Sequence, residues 1–154
     1  MEKDLLDYTA QKVEELLAAP SSSRQTLDAA QAWKDAIALA DAIYAETRTP
    51  SFAKDFGLVD QMRRAAVSIS SNIAEGFERE SNQEFVRFLS IAKGSAGELR
   101  SQLHVAKHAG YIDDERFADL YALLAETGRR LAHFIAYLQN DIKARKSTKT
   151  TRTP

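Results

Sequence analysis

Apolar residues recur at spacings of three and four along most of the chain, which is the period of an amphipathic α-helix. Six Gly and three Pro among 154 residues are few for a turn-rich all-β protein. The pattern predicts a short N-terminal helix and four longer ones, over about 3–18, 25–47, 57–77, 82–109 and 114–144. Because the connections are short, neighbouring long helices should be antiparallel. The predicted fold class is all-α: an antiparallel up-down four-helix bundle with an extra short N-terminal helix and a disordered basic C-terminal tail.

Capping residues mark the ends of the predicted helices. Ser81 and Glu84 have the spacing of a capping box, in which the Ser hydroxyl accepts from the Glu84 amide and the Glu84 side chain reaches back. Gly110 suits the left-handed position after a helix, and Asp113 starts the next helix. The chain therefore divides into an N-terminal amphipathic arm and linker (1–24), a four-helix bundle (25–144) and a disordered basic tail (145–154).

The predicted helix over 57–77 contains an uncharged stretch. Ten residues without a charge separate Arg64 from Glu75, whereas the solvent face of an ordinary amphipathic helix carries charged residues. Because one side of each helix in a lone bundle faces water, we expect this helix to pack against a second subunit as well as its own core. The alternative is a polar but uncharged solvent face. Arg63, Arg64 and Arg100 are candidates to pair with Glu75 or Glu98 across helices or subunits.

The predicted helix over 82–109 carries Gly94 and Gly97 in its middle. Each Gly in a helix interior costs about 1 kcal/mol relative to Ala. Close approach by a neighbouring helix would offset that cost, and a kink is the alternative. The residues predicted to lie in a subunit interface are Gln61, Arg64, Ser68, Asn72, Glu75, Gly94, Gly97 and Glu98.

Composition excludes several chemistries. The chain has no Cys, which rules out disulfides, thiolate metal sites and thiol nucleophiles. No stretch approaches the roughly 18 apolar residues of a membrane span. The N-terminal Met-Glu-Lys-Asp-Leu-Leu is unlike a signal peptide. We therefore expect a cytoplasmic protein that makes no membrane contact.

The net charge is −1, but acidic and basic residues are unevenly distributed along the chain. Residues 1–20 contain five acids and two bases, while residues 143–154 contain five bases and no acid. A disordered basic end can bind phosphate backbones with an affinity that falls steeply with salt. The alternative is a solvated terminus that aids solubility. The candidate nucleic-acid-binding residues are Lys143, Arg145, Lys146, Lys149 and Arg152.

Several of these unusual residues lie in motifs of a known family. The stretches are 56–69, Ser71-Asn72-Ile73-Ala74-Glu75-Gly76-Phe77, 84–85, Gly94-Ser95-Ala96-Gly97-Glu98-Leu99 and 110–112. Through them, residues about 30–138 resemble the small four-helix-bundle proteins encoded in intervening sequences of bacterial 23S rRNA genes. That family is similar to the accessory variability determinant of diversity-generating retroelements, a basic pentamer that works with a reverse transcriptase and its template RNA.

The resemblance implies a homopentamer, with the bundles arranged as a tapered ring around a central opening. It also implies RNA, DNA or a protein such as a reverse transcriptase as partners. The chain departs from the family in two respects. Its arm over 1–24 is not needed by the family's core, and it is nearly neutral, whereas a nucleic-acid-binding pentamer should be basic.

Catalytic chemistry has little support in the sequence. None of His104, His108 and His133 follows a Glu by three residues, so the Glu-x-x-His pairs of di-iron bundles are missing. His104 and His108 share a helix face, and a metal there would need a further ligand. We therefore expect a non-enzymatic protein without a metal or cofactor.

Three functional hypotheses follow. The leading one is a pentameric binding or adaptor protein that engages RNA or DNA through basic residues and its tail. The second is a structural scaffold that binds a protein partner, for example a reverse transcriptase, without touching nucleic acid. The third is a metal-dependent enzyme using His104 and His108.

Overall fold

The computed structural model describes residue 11 and residues 23–150, with side chains up to residue 148. Four α-helices make up most of this part of the chain, and a short 3₁₀ turn over Phe52–Lys54 joins the first two. The helices are α1 (Arg24–Glu46), α2 (Phe56–Phe77), α3 (Asn82–His108) and α4 (Asp114–Thr150). No strand occurs within the described ranges, which confirms the all-α prediction. Every predicted end of these helices except the last lies within one residue of the observed end.

The four helices pack in ring order. Each contacts the helix that follows it, and α4 returns to contact α1. With short connections, this order makes consecutive helices antiparallel, as in an up-down bundle. The predicted four-helix bundle is therefore confirmed.

A single core runs through the bundle. Each helix contributes one apolar stripe, as the spacing of three and four predicts. Burying a large aliphatic or aromatic side chain stabilises the fold by about 1.5–3 kcal/mol. The largest fully buried side chains are Phe52, Leu39, Ile43, Met62, Ile69, Ile73, Leu89, Leu99, Leu103, Leu120, Leu131 and Leu138.

Side-chain caps fix where the helices begin. Ser23, Asp55 and Ser81 each accept a hydrogen bond from a backbone amide in the first turn of α1, α2 and α3. The predicted contact of Ser81 with the Glu84 amide is present at 3.2 Å. Gly110 has φ +80°, so the glycine predicted to follow α3 lies in the left-handed region.

The C-terminal boundary differs from the prediction. Helix α4 continues to Thr150, so residues 145–150, which the sequence predicts to be part of a disordered tail, are helical. Arg145, Lys146 and Lys149 are good helix formers, and Arg145 pairs with Asp141 one turn earlier at 2.8 Å. Local pairing therefore extends the helix where burial is not available. Residues 151–154 lie outside the described part of the chain.

The predicted N-terminal helix over 3–18 also lies outside the described residues, apart from Gln11, which is helical. No helix within the described residues is both long enough and apolar enough to cross a membrane.

Candidate functional site

The outer face of α2 carries no charge along its middle. Met62, Ile69 and Ile73 point into the core, and the opposite face exposes Val67 and Ser71 between the charged residues at its two ends. In the single chain this face is open rather than covered. This face corresponds to the uncharged stretch that the sequence predicts. Only a second molecule would cover it.

Two of the predicted interface residues take part in a polar network between α2 and α3. The hydroxyls of Ser68 and Ser95 lie 2.8 Å apart. The Asn72 amide donates to the Ser68 backbone oxygen at 2.8 Å and to the Ser68 hydroxyl at 3.1 Å. Ser95 is buried, while Ser68 and Asn72 are half-buried at the edge of the outer face. Ser68 therefore joins α2 to α3 within one protomer, and Asn72 holds the Ser68 hydroxyl from the next turn of α2, roles that the sequence did not predict.

The charged residues at the ends of the face pair with residues four positions away in sequence. Arg64 lies 2.9 Å from Asp60, and Glu75 lies 2.6 Å from Arg79. The predicted pairing of Arg64 with Glu75 or Glu98 is therefore wrong within the protomer, since Arg64 pairs with Asp60 on α2 and Glu75 pairs with Arg79, two residues after the end of α2. Gln61 is exposed beside them. Exposed pairs of this kind contribute little to stability.

Gly94 and Gly97 lie on the outward side of α3. A Cβ placed on either glycine would meet nothing within 4 Å among the described residues. Helix α3 continues through both positions, so they do not break it. The close approach that the sequence predicted is therefore not made by any described residue of the same protomer. With Ser90 and Ser101 they form a run of small residues at spacings of four, three and four.

Beside this run, α3 exposes apolar side chains that the sequence analysis missed. Ile91 and Val105 are 44% and 52% exposed, and Glu98 lies midway between them, seven residues from each. The side-chain oxygen of Gln102, on the same side of α3, is buried without a hydrogen-bond donor among the described residues. The heptad spacing of Ile91 and Val105 outside the core stripe was the signal that could have identified this surface.

Gly76, on α2, is the glycine at a close helix contact. A Cβ there would lie 2.6 Å from the Phe85 ring and 2.9 Å from the Phe88 Cβ. Phe85 is itself held edge-on against Phe77 and Phe134. The glycine therefore lets α2 and α3 approach each other near the turn that joins them.

Two of the basic residues near the C-terminus, Arg145 and Lys146, line one hollow beside Asp141 at the end of α4. Lys143, Arg145 and Lys146 are exposed on the last turns of α4, and Arg145 is paired with Asp141. The side chain of Lys149 and the whole of Arg152 lie outside what the structure describes. The structure thus places three of the five candidate nucleic-acid-binding residues on a helix.

His104 and His108 make packing and hydrogen-bond contacts within the bundle. His104 packs against the rings of Phe117 and Tyr121 at 5.0 and 5.9 Å between centroids. His108 Nδ1 lies 2.8 Å from the His104 backbone oxygen. The part of the chain that the structure describes contains no group of three or more His, Asp or Glu residues able to hold a metal ion.

A hydrogen bond between two ionisable side chains, Tyr111 and Asp55, lies at one end of the bundle. The Tyr111 hydroxyl donates to Asp55 at 3.0 Å, and this hydrogen bond raises the pKa of Tyr111 above its ordinary value of 10.0. The Tyr111 ring stacks on Phe52 at 4.7 Å. The contact joins the loop after α3 to the start of α2 and has a structural role.

The chain is similar to known proteins in sequence and in fold. Residues 28–133 match the family described as 23S rRNA-intervening sequence protein. A crystal structure of a protein of unknown function from the S23 ribosomal protein family of Bacteroides thetaiotaomicron has the same fold, with a TM-score of 0.63. The two are 24% identical, and the match covers 68% of this chain and 97% of that one. No curated protein matches the chain in sequence.

Proposed function

The chain belongs to the 23S rRNA-intervening sequence protein family, and from this premise we propose that it is a non-enzymatic, homo-oligomeric binding protein whose copies meet through the outer faces of α2 and α3. The number of copies in this proposal is five, arranged in a ring. The single observation that carries it is the pair of outward glycines, Gly94 and Gly97, which no described residue approaches. A second copy packed there would account for both.

Three further features support the same surface. The middle of α2 is uncharged, so its contact with another chain would bury no unpaired charge. Ile91 and Val105 supply exposed apolar area next to the glycines. The buried oxygen of Gln102 lacks a donor, which a neighbouring subunit would be able to provide. Interface cores typically combine apolar area with few charges.

The test of the interface is the substitution Gly94→Leu. In the lone protomer the new side chain points into open space, and replacing Gly by Leu in a helix favours folding by up to about 1 kcal/mol. In a tight contact between copies the same side chain causes a clash. We expect light scattering to show the 17.1 kDa protomer in place of the assembly. That protomer should still unfold cooperatively in urea, as a chain that has lost its assembly and kept its fold would.

Ala38→Leu is the matched control, because Ala38 is exposed on α1, away from the proposed interface. It should leave the mass unchanged. If Gly94→Leu keeps the wild-type mass, the copies do not meet through this face.

We further propose that the assembly engages RNA or DNA through the bases near its C-terminus. Five copies would present five basic ends on one particle, and linked sites gain affinity over single ones. The last turns of α4 carry Lys143, Arg145 and Lys146 on exposed positions. A protein partner without nucleic-acid contact is the competing function, and the chain's net charge of −1 favours it.

Neutralising substitutions separate these two functions. Changing Lys143, Arg145 and Lys146 together to Gln should weaken binding of labelled RNA and reduce its salt dependence, because each lost phosphate contact removes about 0.7–0.9 from the salt slope. Lys34, Arg48 and Lys54 are exposed elsewhere, and their joint change to Gln is the control. Equal RNA binding by both triple variants, or no binding by the wild type, would favour the protein partner.

A further inference from the structure

One side of α2 carries a positive charge between two exposed apolar side chains. Arg63 is held against the end of α1 on this side: its Nε donates to the Thr47 hydroxyl at 2.9 Å, and its guanidinium carbon lies 4.7 Å from the centre of the Tyr44 ring. Phe56 and Val67, seven residues before Arg63 and four after it, share this side of the helix. They are 80% and 39% exposed. Arg63 makes no ion pair with a carboxylate of the described ranges, so its charge is positioned but unpaired there.

The edge of α3 next to α2 carries the complementary pattern. Ser95 marks this edge, because its hydroxyl lies 2.8 Å from the Ser68 hydroxyl on α2. Glu98 follows three residues later, and Ile91 and Val105 lie seven residues on either side of Glu98. Both apolar side chains are exposed, and Glu98 makes no ion pair with a residue in the described part of the chain. This edge is therefore apolar at both ends and acidic in the middle.

Arg63 and Glu98 lie at nearly the same height along the bundle. Because α2 and α3 are antiparallel and Ser68 touches Ser95, a step toward the start of α2 corresponds to a step toward the end of α3. Arg63 lies five residues from Ser68 in that direction. Glu98 lies three residues from Ser95, so the two charges differ in height by about 3 Å. Within one protomer they do not pair, because Arg63 lies on the α1 side of α2.

The apolar residues match in height in the same way. Phe56 and Val105 differ by about 3 Å by the rise of the helix, and Val67 lies between the heights of Glu98 and Ile91. Rotation about an axis that runs along the bundle carries one copy onto the next without changing any height. The side of α2 in one copy would therefore meet the edge of α3 in the next with apolar residues on both sides of the opposite charges.

The two surfaces are also placed as a ring requires. They belong to adjacent sides of the four-helix bundle, which face directions roughly a right angle apart. A contact between two different surfaces is heterologous, and it closes into a ring when the rotation between copies returns to the start. Surfaces on opposite sides of the bundle would instead generate an open filament.

Building on the proposed assembly through α2 and α3, we propose that Arg63 of one copy forms an ion pair with Glu98 of the next copy. Phe56 packs on Val105 beside the pair and limits its access to water. Losing one member of a shielded charge pair is costly, because the other charge is left buried and unpaired. The pair fixes which side of each helix is used and the direction in which copies follow one another around the ring.

Reversing the charges tests the pair. Glu98→Arg brings two cations together across the contact, and Arg63→Glu brings two carboxylates together, so each single variant should lose the assembly and scatter light as the 17.1 kDa protomer. The double variant restores opposite charges and should recover the wild-type mass. Asp119→Arg is the control, because Asp119 is exposed on α4. This control should keep the wild-type mass.

The wild-type mass separates failure of the pair from failure of the assembly. Because Glu98 is exposed and unpaired within the described residues, its reversal acts on the contact and not on the fold. If the wild type is assembled and either single reversal keeps its mass, the pair is overturned while the assembly stands. A double variant that unfolds cooperatively in urea but stays dissociated has the same meaning. A wild type of 17.1 kDa overturns both.

Introduced thiols test the direction of the contact, since the chain has no Cys. A chain with both Phe56→Cys and Val105→Cys should form disulfides between neighbouring copies on mild oxidation, in a ladder that extends beyond two chains on a non-reducing gel. Either single-Cys variant should remain a single chain, because a heterologous contact keeps identical residues apart. Linked chains from a single-Cys variant, or no linked chains from the double variant, would overturn the proposed orientation.

Discussion

At the scale of single residues, two kinds of helical glycine differ in what surrounds them. Gly76 has phenylalanine atoms where a Cβ would lie, whereas Gly94 and Gly97 have open space. The sequence marked the second pair as unusual because glycine disfavours helix, and it gave no reason to single out Gly76. Whether a helical glycine lies at a close contact depends on how α2 and α3 are aligned against each other. The order of residue types along the chain does not determine that alignment.

Gly76→Ala should destabilise the protein by about 1–3 kcal/mol, as overpacking a tight contact does. The Phe85 ring that it would strike is held by neighbouring rings and has little room to move. Gly128→Ala is the matched comparison, because its Cβ would meet nothing within 4 Å of described atoms. That change should raise stability by about 1 kcal/mol. Urea unfolding measures both, and effects of the same sign would contradict this account of Gly76.

The contact between Tyr111 and Asp55 should make stability depend on alkaline pH. Because the hydrogen bond to Asp55 raises the pKa of Tyr111 in the folded state, its contribution is fully present below the ordinary value of about 10 and is lost as pH rises through the raised value. We expect the stability difference between wild type and Tyr111→Phe to be constant near neutral pH and to shrink in alkali.

Asp55→Asn is the control for this pH dependence, since Asn retains the N-cap of α2 and removes the negative charge. The alkaline loss should then begin closer to the ordinary pKa of tyrosine. Urea unfolding between about pH 7 and pH 11 measures it. A difference between wild type and Tyr111→Phe that stays constant over this range would contradict the assignment.

At the scale of elements, the sequence predicts helices well where periodicity and capping agree. Ser81 and Gly110 bracket α3, and both take the conformations that their residue types favour. The end of α4 lies beyond its predicted position because the apolar stripe stops before the helix does. Beyond that point helix formers and pairs such as Asp141 with Arg145 continue the helix without a core.

Ser81→Ala should cost about 1 kcal/mol of stability, because the Glu84 amide at the start of α3 loses its acceptor. Ser81→Asp keeps an acceptor at the same position and should leave stability close to that of wild type. Thermal unfolding of the two variants tests this difference. Equal losses would mean that the cap contributes nothing measurable.

At the scale of the whole molecule, the bundle and its family could be predicted from one chain, but its surfaces could not be fully assigned. Ser68 and Asn72 illustrate the limit: their uncharged side chains suit a subunit interface, yet Ser68 bonds to Ser95 on α3 and Asn72 bonds to Ser68. Whether a polar residue bonds within or between chains depends on three-dimensional neighbours. Gly94 and Gly97 are easier to assign to a contact between chains, because no described residue of the same chain approaches them.

The central claim is that copies of this chain assemble through α2 and α3, and the mass of the wild-type protein in solution tests it most directly. Native mass spectrometry or light scattering at micromolar concentration would measure it. Five copies of the 17.1 kDa chain predict a particle of about 86 kDa. A species of 17.1 kDa across the accessible concentration range would contradict the claim.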